Sequence, residues 1–126
     1  MPVDKHQIAR ILVVEDEPLI SMILEDELVE AGFQIAGVVE ELETALALVE
    51  SGGCDGAIID ANLAGVSAKP VATALAARSL HFIVTSGYST EHIQGAFPGA
   101  LFIQKPSRPG QIAQLLHKVF VNRDGQ

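Results

Sequence analysis

Two aspartates of this chain end apolar runs: Asp16 in "ILVVEDE" and Asp60, 44 residues later, in "GAIID". The first run closes on three consecutive carboxylates, Glu15, Asp16 and Glu17. The positive end of a helix dipole favours acids at a helix start, which accounts for one of them and at most two. It leaves Asp60 unexplained. If the fold brings Asp60 beside Glu15 and Asp16, each carboxylate pair repels by about 4 kcal/mol at about 4 Å and an effective dielectric of roughly 20. Stability does not select such a cluster. A hard divalent cation relieves it, and Mg²⁺ takes a few carboxylate oxygens while keeping waters and room for phosphate oxygens. In its absence one carboxyl is expected to have a raised pKa.

Two further residues extend this chemistry. Lys105, immediately before Pro106, supplies a point charge for Asp60 or an incoming phosphoryl group, and Ser86, followed by Gly87, supplies a hydroxyl. Thr85 competes for the hydroxyl role; strand alternation aims only one of the two at the site, and the following glycine favours Ser86. Metal, lysine, hydroxyl and a nucleophilic carboxylate are the parts phosphoryl transfer uses, because that reaction rests on in-line positioning and charge neutralisation. Neither G-x-x-x-x-G-K-[ST] nor G-x-G-x-x-G occurs, so bound ATP is not the expected donor.

The elements must bring these residues together. Five apolar, β-branched runs recur, "RILVVE", "FQIAGVV", "GAIID", "HFIVTS" and "ALFIQ", none cleanly alternating, as expected of strands buried on both faces. Between them lie segments of helical spacing: Leu19, Ile23, Leu24, Leu28 and Ala31; Leu42, Leu46 and Val49; Val71, Leu75 and Ala76; and Ile112, Leu115, Leu116, Val119 and Phe120. Gly32 and the pair Gly52 and Gly53 end helical patterns, and Pro18, Pro70 and Pro109 lie where helices begin. The fourth unit, "STEHIQGAFPGA", offers about two turns before Gly95 and Pro98 interrupt it, predicting a short or mobile fourth helix. The pattern is β-α repeated five times, an α/β doubly wound parallel sheet with helices on both faces. Right-handed crossovers put every strand C-terminus on one edge, where ligands of such sheets bind. That edge collects Glu15, Asp16, Asp60, Ser86 and Lys105.

A length of 126 residues suits one domain over 1–126, its core about 9–121, with a polar tail "NRDGQ" and no linker or second domain expected. Aromatics make up 5% of the chain against 48% apolar residues, so Ala, Val, Ile and Leu must build the core. The single cysteine, Cys54, permits no internal disulfide, reads as a small packed residue and fits a reducing setting. The first ten residues lack the apolar region of a signal peptide and no apolar run approaches the roughly 20 residues of a membrane span. A soluble, cytoplasmic protein is expected. Sixteen acids against eight bases give a net charge of -8 with no Lys/Arg cluster, which argues against nucleic acid as a partner.

Four motifs in order on this pattern resemble the receiver domain of two-component response regulators, over about residues 9 to 121: "VVEDE" its acidic pair, "IIDANLAG" its phosphoacceptor loop, "IVTSGY" its Thr/Ser-Gly step and "FIQKP" its Lys-Pro. "SGY" with a curtailed fourth helix is similar to the single-domain subgroup with a Thr-Gly-aromatic signature, frequent in alphaproteobacteria. The resemblance implies the flavodoxin-like strand order 2-1-3-4-5. It implies that Asp60 takes a phosphoryl group from the phosphohistidine of a sensor histidine kinase or phosphotransfer protein. Glu15, Asp16, Asp60 and the backbone carbonyl of Asn62 would hold Mg²⁺, and Ser86 and Lys105 would contact the phosphoryl oxygens. Phe102 falls at the switch position, and Tyr88 at one that gates or shields the phosphoryl group. Such a protein catalyses its own phosphorylation and dephosphorylation, turns over no separate metabolite, and signals to a downstream protein through the fourth helix, fifth strand and fifth helix, as a monomer or weak dimer. Two departures stand out: Glu15 replaces the commoner Asp, and Ala64 stands where many members have Pro.

Plainer readings exist for each residue alone. A strand-end aspartate is commonly a turn former, Lys105 a solvated loop lysine, Phe102 a core residue and Tyr88 an exposed loop aromatic. His6, His81, His92 and His117 lack metal-ligand spacing, and Glu25, Asp26, Glu27 and Glu30 read as a solvated helix face that also suits a kinase. A haloacid-dehalogenase-type phosphatase also uses an aspartyl nucleophile on such a sheet but wants a second Asp at position 62, which is Asn62. A phosphate-independent binding module would show no Mg²⁺ response.

Overall fold

In the computed structural model, residues 8–87 and 94–125 are described, with side chains at 8–87 and 95–120. Five parallel strands, β1 (Arg10–Val14), β2 (Gln34–Val39), β3 (Gly56–Asp60), β4 (His81–Ser86) and β5 (Leu101–Gln104), form one sheet in the order β2-β1-β3-β4-β5. This is the doubly wound order expected. Helices α1 (Pro18–Glu30), α2 (Leu42–Glu50) and α3 (Lys69–Ala77) come after the first three strands, and a C-terminal helix (Gln111–Gly125) comes after β5. Of the fourth helical segment, residues 88–93 lie outside the described residues, and Gln94–Ala96 form a single 3₁₀ turn.

Strand alternation divides the core in two. Ile11, Val13, Ile58, Ile83 and Ile103 pack under Leu24 and Leu28 of α1 and Ile112 and Leu116 of the C-terminal helix. Leu12, Val14, Ala57, Ile59 and Val84 pack on the opposite side against Ala45, Val49, Val71 and Leu75. Small residues let the layers approach closely. A Cβ on Gly56 would lie 2.8 Å from Phe120 Cζ and 2.9 Å from the His81 carbonyl, so only glycine fits there. Pro18 occupies the first helical position of α1, and Gly32 and Gly52 take positive φ after α1 and α2, as the punctuation indicated.

Two expectations need correction. The continuous apolarity of "FQIAGVV" does not bury that strand on both faces, because β2 is an edge strand and Gln34 and Val38 are exposed. The stripe assigned to α1 is narrower than its spacing suggests: Leu24 and Leu28 are buried, but Leu19 is 70% and Ile23 56% exposed, with Met22 and Val29 beside them. Cys54 is buried and unpaired as a disulfide, and burial pushes its thiol pKa up, consistent with a packed residue. Among the described residues no helix is long and apolar enough to cross a membrane.

At the opposite sheet edge from the acids, Arg10 grips Asp55 through its side chain at 3.2 Å while its main-chain N–H donates to the same carboxylate at 2.7 Å. Partial burial raises the Asp55 carboxyl, but the Arg10 hydrogen bonds and charge outweigh it and hold the pKa below the ordinary 3.8. A depressed folded pKa stabilises the protein above the unfolded value and is lost as pH falls through the folded one. Asp55→Asn is therefore expected to cost only about 0.5 kcal/mol at neutral pH, since both groups are solvent-screened. Its unfolding curve converges with wild type below the depressed pKa, checked by denaturant melts across the acid range.

Candidate aspartyl phosphoacceptor site

One row of the sheet explains the meeting of distant residues. Val14 pairs with both Val39 and Ile59, Ile59 with Val84, and Val84 with Phe102. One step toward the C-terminal edge stand Glu15 and Asp60, with Asp60 opposite Thr85 and Thr85 opposite Ile103. One further step brings Asp16 and Ser86, and the main-chain N–H of Lys105 donates to the Ser86 carbonyl at 2.7 Å. Parallel pairing thus converts separations of tens of residues into neighbouring positions.

Glu15, Asp16 and Asp60 each present a carboxylate oxygen, all within 4.8 Å of one another. Glu15 is 2% and Asp60 8% exposed, while Asp16 is half-buried. Lys105 Nζ lies 3.0 Å from Asp60 Oδ2 and 3.4 Å from Glu15 Oε1. The second Glu15 oxygen accepts from the Glu17 N–H at 3.2 Å, and Asp60 Oδ1 from the Asn62 N–H at 3.3 Å. Burial first, and then the Asp60 charge, push the Glu15 carboxyl above its ordinary range despite Lys105 and the Glu17 N–H. Burial works against the Lys105 ammonium, but its hydrogen bond to Asp60 and the charges of Asp60 and Glu15 prevail and raise its pKa. Three acids facing one ammonium leave net negative charge, and an all-oxygen donor set of this kind fits Mg²⁺.

The other sequence candidates fall around this cluster. Thr85 and Ser86 are both buried at the end of β4; Thr85 lies on the α1 side, lining a cavity of about 420 Å³ with Glu15, Lys105, Ile20, Leu24 and Pro109. Ser86 lies on the alternate face one residue nearer the strand tip. Phe102 is half-buried against the α2 and α3 core. Tyr88 and His92 are outside the described residues.

Two features escaped the sequence reading. Glu27, assigned to a solvated face, is half-buried and accepts a hydrogen bond from the Gly110 N–H, tying α1 to the start of the C-terminal helix. The segment after Asp60 is not an open loop: Asn62–Leu63 pairs antiparallel with Val66–Ser67 across Ala64 and Gly65. The only sequence signal for it is Gly65, because alanine at a left-handed turn position carries none.

A doubly wound sheet with an acidic cluster and a lysine at its C-terminal edge defines a class of Mg²⁺-compatible aspartate sites. Within it, the response regulator receiver domain family matches residues 11–117, and the chain belongs to that family. SdrG from Sphingomonas melonis Fr1 is 43% identical, covering 86% of this chain and 93% of its own at a TM-score of 0.75. The BeF3-activated conformation of SdrG, from Pseudomonas melonis Fr1, is 42% identical over 88% and 95% of the two chains, TM-score 0.73. The receiver domain of the PhyR response regulator from Erythrobacter litoralis is 26% identical over 90% and 91%, TM-score 0.78. No curated protein sequence matched.

Proposed function

We propose that this chain is a phosphorylation-controlled signalling switch in a phosphorelay, with Asp60 as the residue that carries the phosphoryl group. The observation that carries the reading is the Asp60 carboxylate held 3.0 Å from Lys105 Nζ within a three-carboxylate cluster. An Asp60 oxygen attacks phosphorus in the phosphoimidazole of a histidine kinase or phosphotransfer protein. The P–O bond forms as the P–N bond breaks, and the imidazole nitrogen leaves with the electron pair and takes a proton. Glu15, Asp16, Asp60 and the Asn62 main-chain carbonyl would hold Mg²⁺, which would supply charge neutralisation. Lys105 follows the phosphoryl oxygens and balances their charge, and the Ser86 hydroxyl donates to one of them. Water later attacks the same phosphorus and releases phosphate, restoring Asp60.

A relative with a BeF3-activated conformation supports the reading, since a tetrahedral beryllofluoride resembles a phosphoryl group on an aspartate. Added charge at the strand edge favours a pre-existing active arrangement, with Phe102 and Tyr88 in the switch and shielding roles. The exposed Ile23 of α1 lines the cavity beside Lys105, and with the exposed Leu19 and Met22 of the same helix it offers an apolar surface that suits a helical donor protein. The setting proposed is cytoplasmic, where histidine phosphotransfer partners and a reduced Cys54 coexist.

Intact mass after incubation with acetyl phosphate tests this. With Mg²⁺ the protein is expected to gain one phosphoryl group that base removes; with a chelator in its place the gain disappears. A gain that ignores chelation, or that survives base, contradicts the proposal.

A further inference from the structure

The turn after Asp60 is built against the preferences of its own residues. Ala64 has φ +51° and Gly65 φ +90°, the two positive values that a two-residue type I′ hairpin requires. Glycine adopts this freely, but for alanine the left-handed region costs roughly 1–2 kcal/mol. Proline, fixed near φ −65°, cannot stand at Ala64. Something else must hold the turn. The Asn62 side chain does so: its Oδ1 accepts from the Gly65 N–H at 2.7 Å. Around it, the Ala68 N–H donates to the Ala61 carbonyl at 2.9 Å, and Ser67 Oγ accepts from the Lys69 N–H at 3.1 Å at the start of α3.

The hairpin also fixes the main chain of Asn62. In a two-residue hairpin the pair next to the turn, Leu63 and Val66, exchanges ladder bonds and the next pair, Asn62 and Ser67, does not. The main-chain groups of Asn62 therefore face away from Ser67. Its N–H meets Asp60 Oδ1 at 3.3 Å, and in a strand the carbonyl of a residue points to the same side as its N–H. The side chain is committed to the turn while the main chain serves the carboxylate cluster.

We infer that Asn62 is a positioning residue whose carboxamide locks the strained Ala64–Gly65 turn and thereby aims its own main-chain carbonyl at Mg²⁺. The inference rests on the metal assignment proposed above. Removing the carboxamide leaves the carbonyl chemically intact but lets the turn relax, as loss of an outer partner commonly weakens metal sites by about 10- to 100-fold. Supplying a better turn residue at position 64 restores it, because Asn-Gly is the preferred type I′ pair.

The test is Mg²⁺ titration by calorimetry on wild type, Asn62→Ala, and Asn62→Ala combined with Ala64→Asn, with thermal melts to confirm folding and hydrogen exchange at the Gly65 amide as a second readout. Asn62→Ala is expected to weaken Mg²⁺ about tenfold and to speed Gly65 exchange, and the double variant to recover both. If Asn62→Ala binds Mg²⁺ as wild type does, the positioning role is overturned. If affinity falls and Ala64→Asn does not restore it, Asn62 acts through its own side chain and the inference is again overturned. A wild-type protein that binds no Mg²⁺ overturns the metal assignment itself, a failure distinct from either.

Discussion

Asp60→Asn protein gains no phosphoryl group from acetyl phosphate under conditions that load the wild type. An amide cannot replace the carboxylate as nucleophile, and no second nucleophile in the cluster has the same setting. Glu15 is buried, paired with Lys105 and the Glu17 N–H, and carries a raised pKa, while Asp16 is the more exposed partner. The loss of uptake is therefore expected to be complete. The same substitution is predicted to raise the melting temperature without Mg²⁺ by a few degrees, about 1 kcal/mol. Asp60 faces two carboxylates and one ammonium, so neutralising it removes more repulsion than attraction. Mg²⁺ then stabilises the variant less than the wild type, since one donor is weaker. Thermal melts with and without the ion check both statements; a variant that melts well below wild type without Mg²⁺ contradicts them.

Lys105→Met carries the second large effect. Removing a positioned cation that meets developing charge in acyl and phosphoryl transfer costs about 10²- to 10³-fold in rate, and phosphoryl uptake is expected to slow by that order. Without metal the variant also loses the one ammonium among three carboxylates. Breaking a well-buried pair costs about 3–5 kcal/mol; Lys105 is 24% exposed at its side chain, which places this loss at the lower end. Mg²⁺ substitutes for the missing charge, so it binds the variant more tightly than wild type and returns most of the stability. Uptake kinetics by quench and mass, with parallel Mg²⁺ titration, separate the outcomes. Unchanged uptake would assign Lys105 to a structural ion pair alone.

The sequence carried the strands well, because "GAIID" and "HFIVTS" are apolar runs that only a buried sheet interior accepts, and the structure has β3 and β4 at its centre. It overstated burial at β2, since an edge strand and an inner one differ in their neighbours and not in composition. It overstated α1 for a related reason: Leu19 and Ile23 keep helical spacing with Leu24 and Leu28 but lie beyond the reach of the sheet. The acids and Lys105 were legible as a set because strand ends on one edge are fixed by topology. The hairpin was not, because the φ of Ala64 is imposed by Asn62 and Gly65 rather than by alanine itself. Glu27 was hidden likewise, its partner Gly110 being 83 residues away on a loop that helical periodicity does not describe.

The central claim is that Asp60 itself bears the phosphoryl group, and borohydride trapping reads it directly. Reduction of an aspartyl phosphate converts that residue to homoserine, which peptide mass spectrometry locates. After acetyl phosphate and Mg²⁺, the account predicts homoserine at position 60 and at no other residue. Homoserine at Asp16, or a phosphoryl group retained on a histidine or serine with Asp60 unmodified, would contradict it.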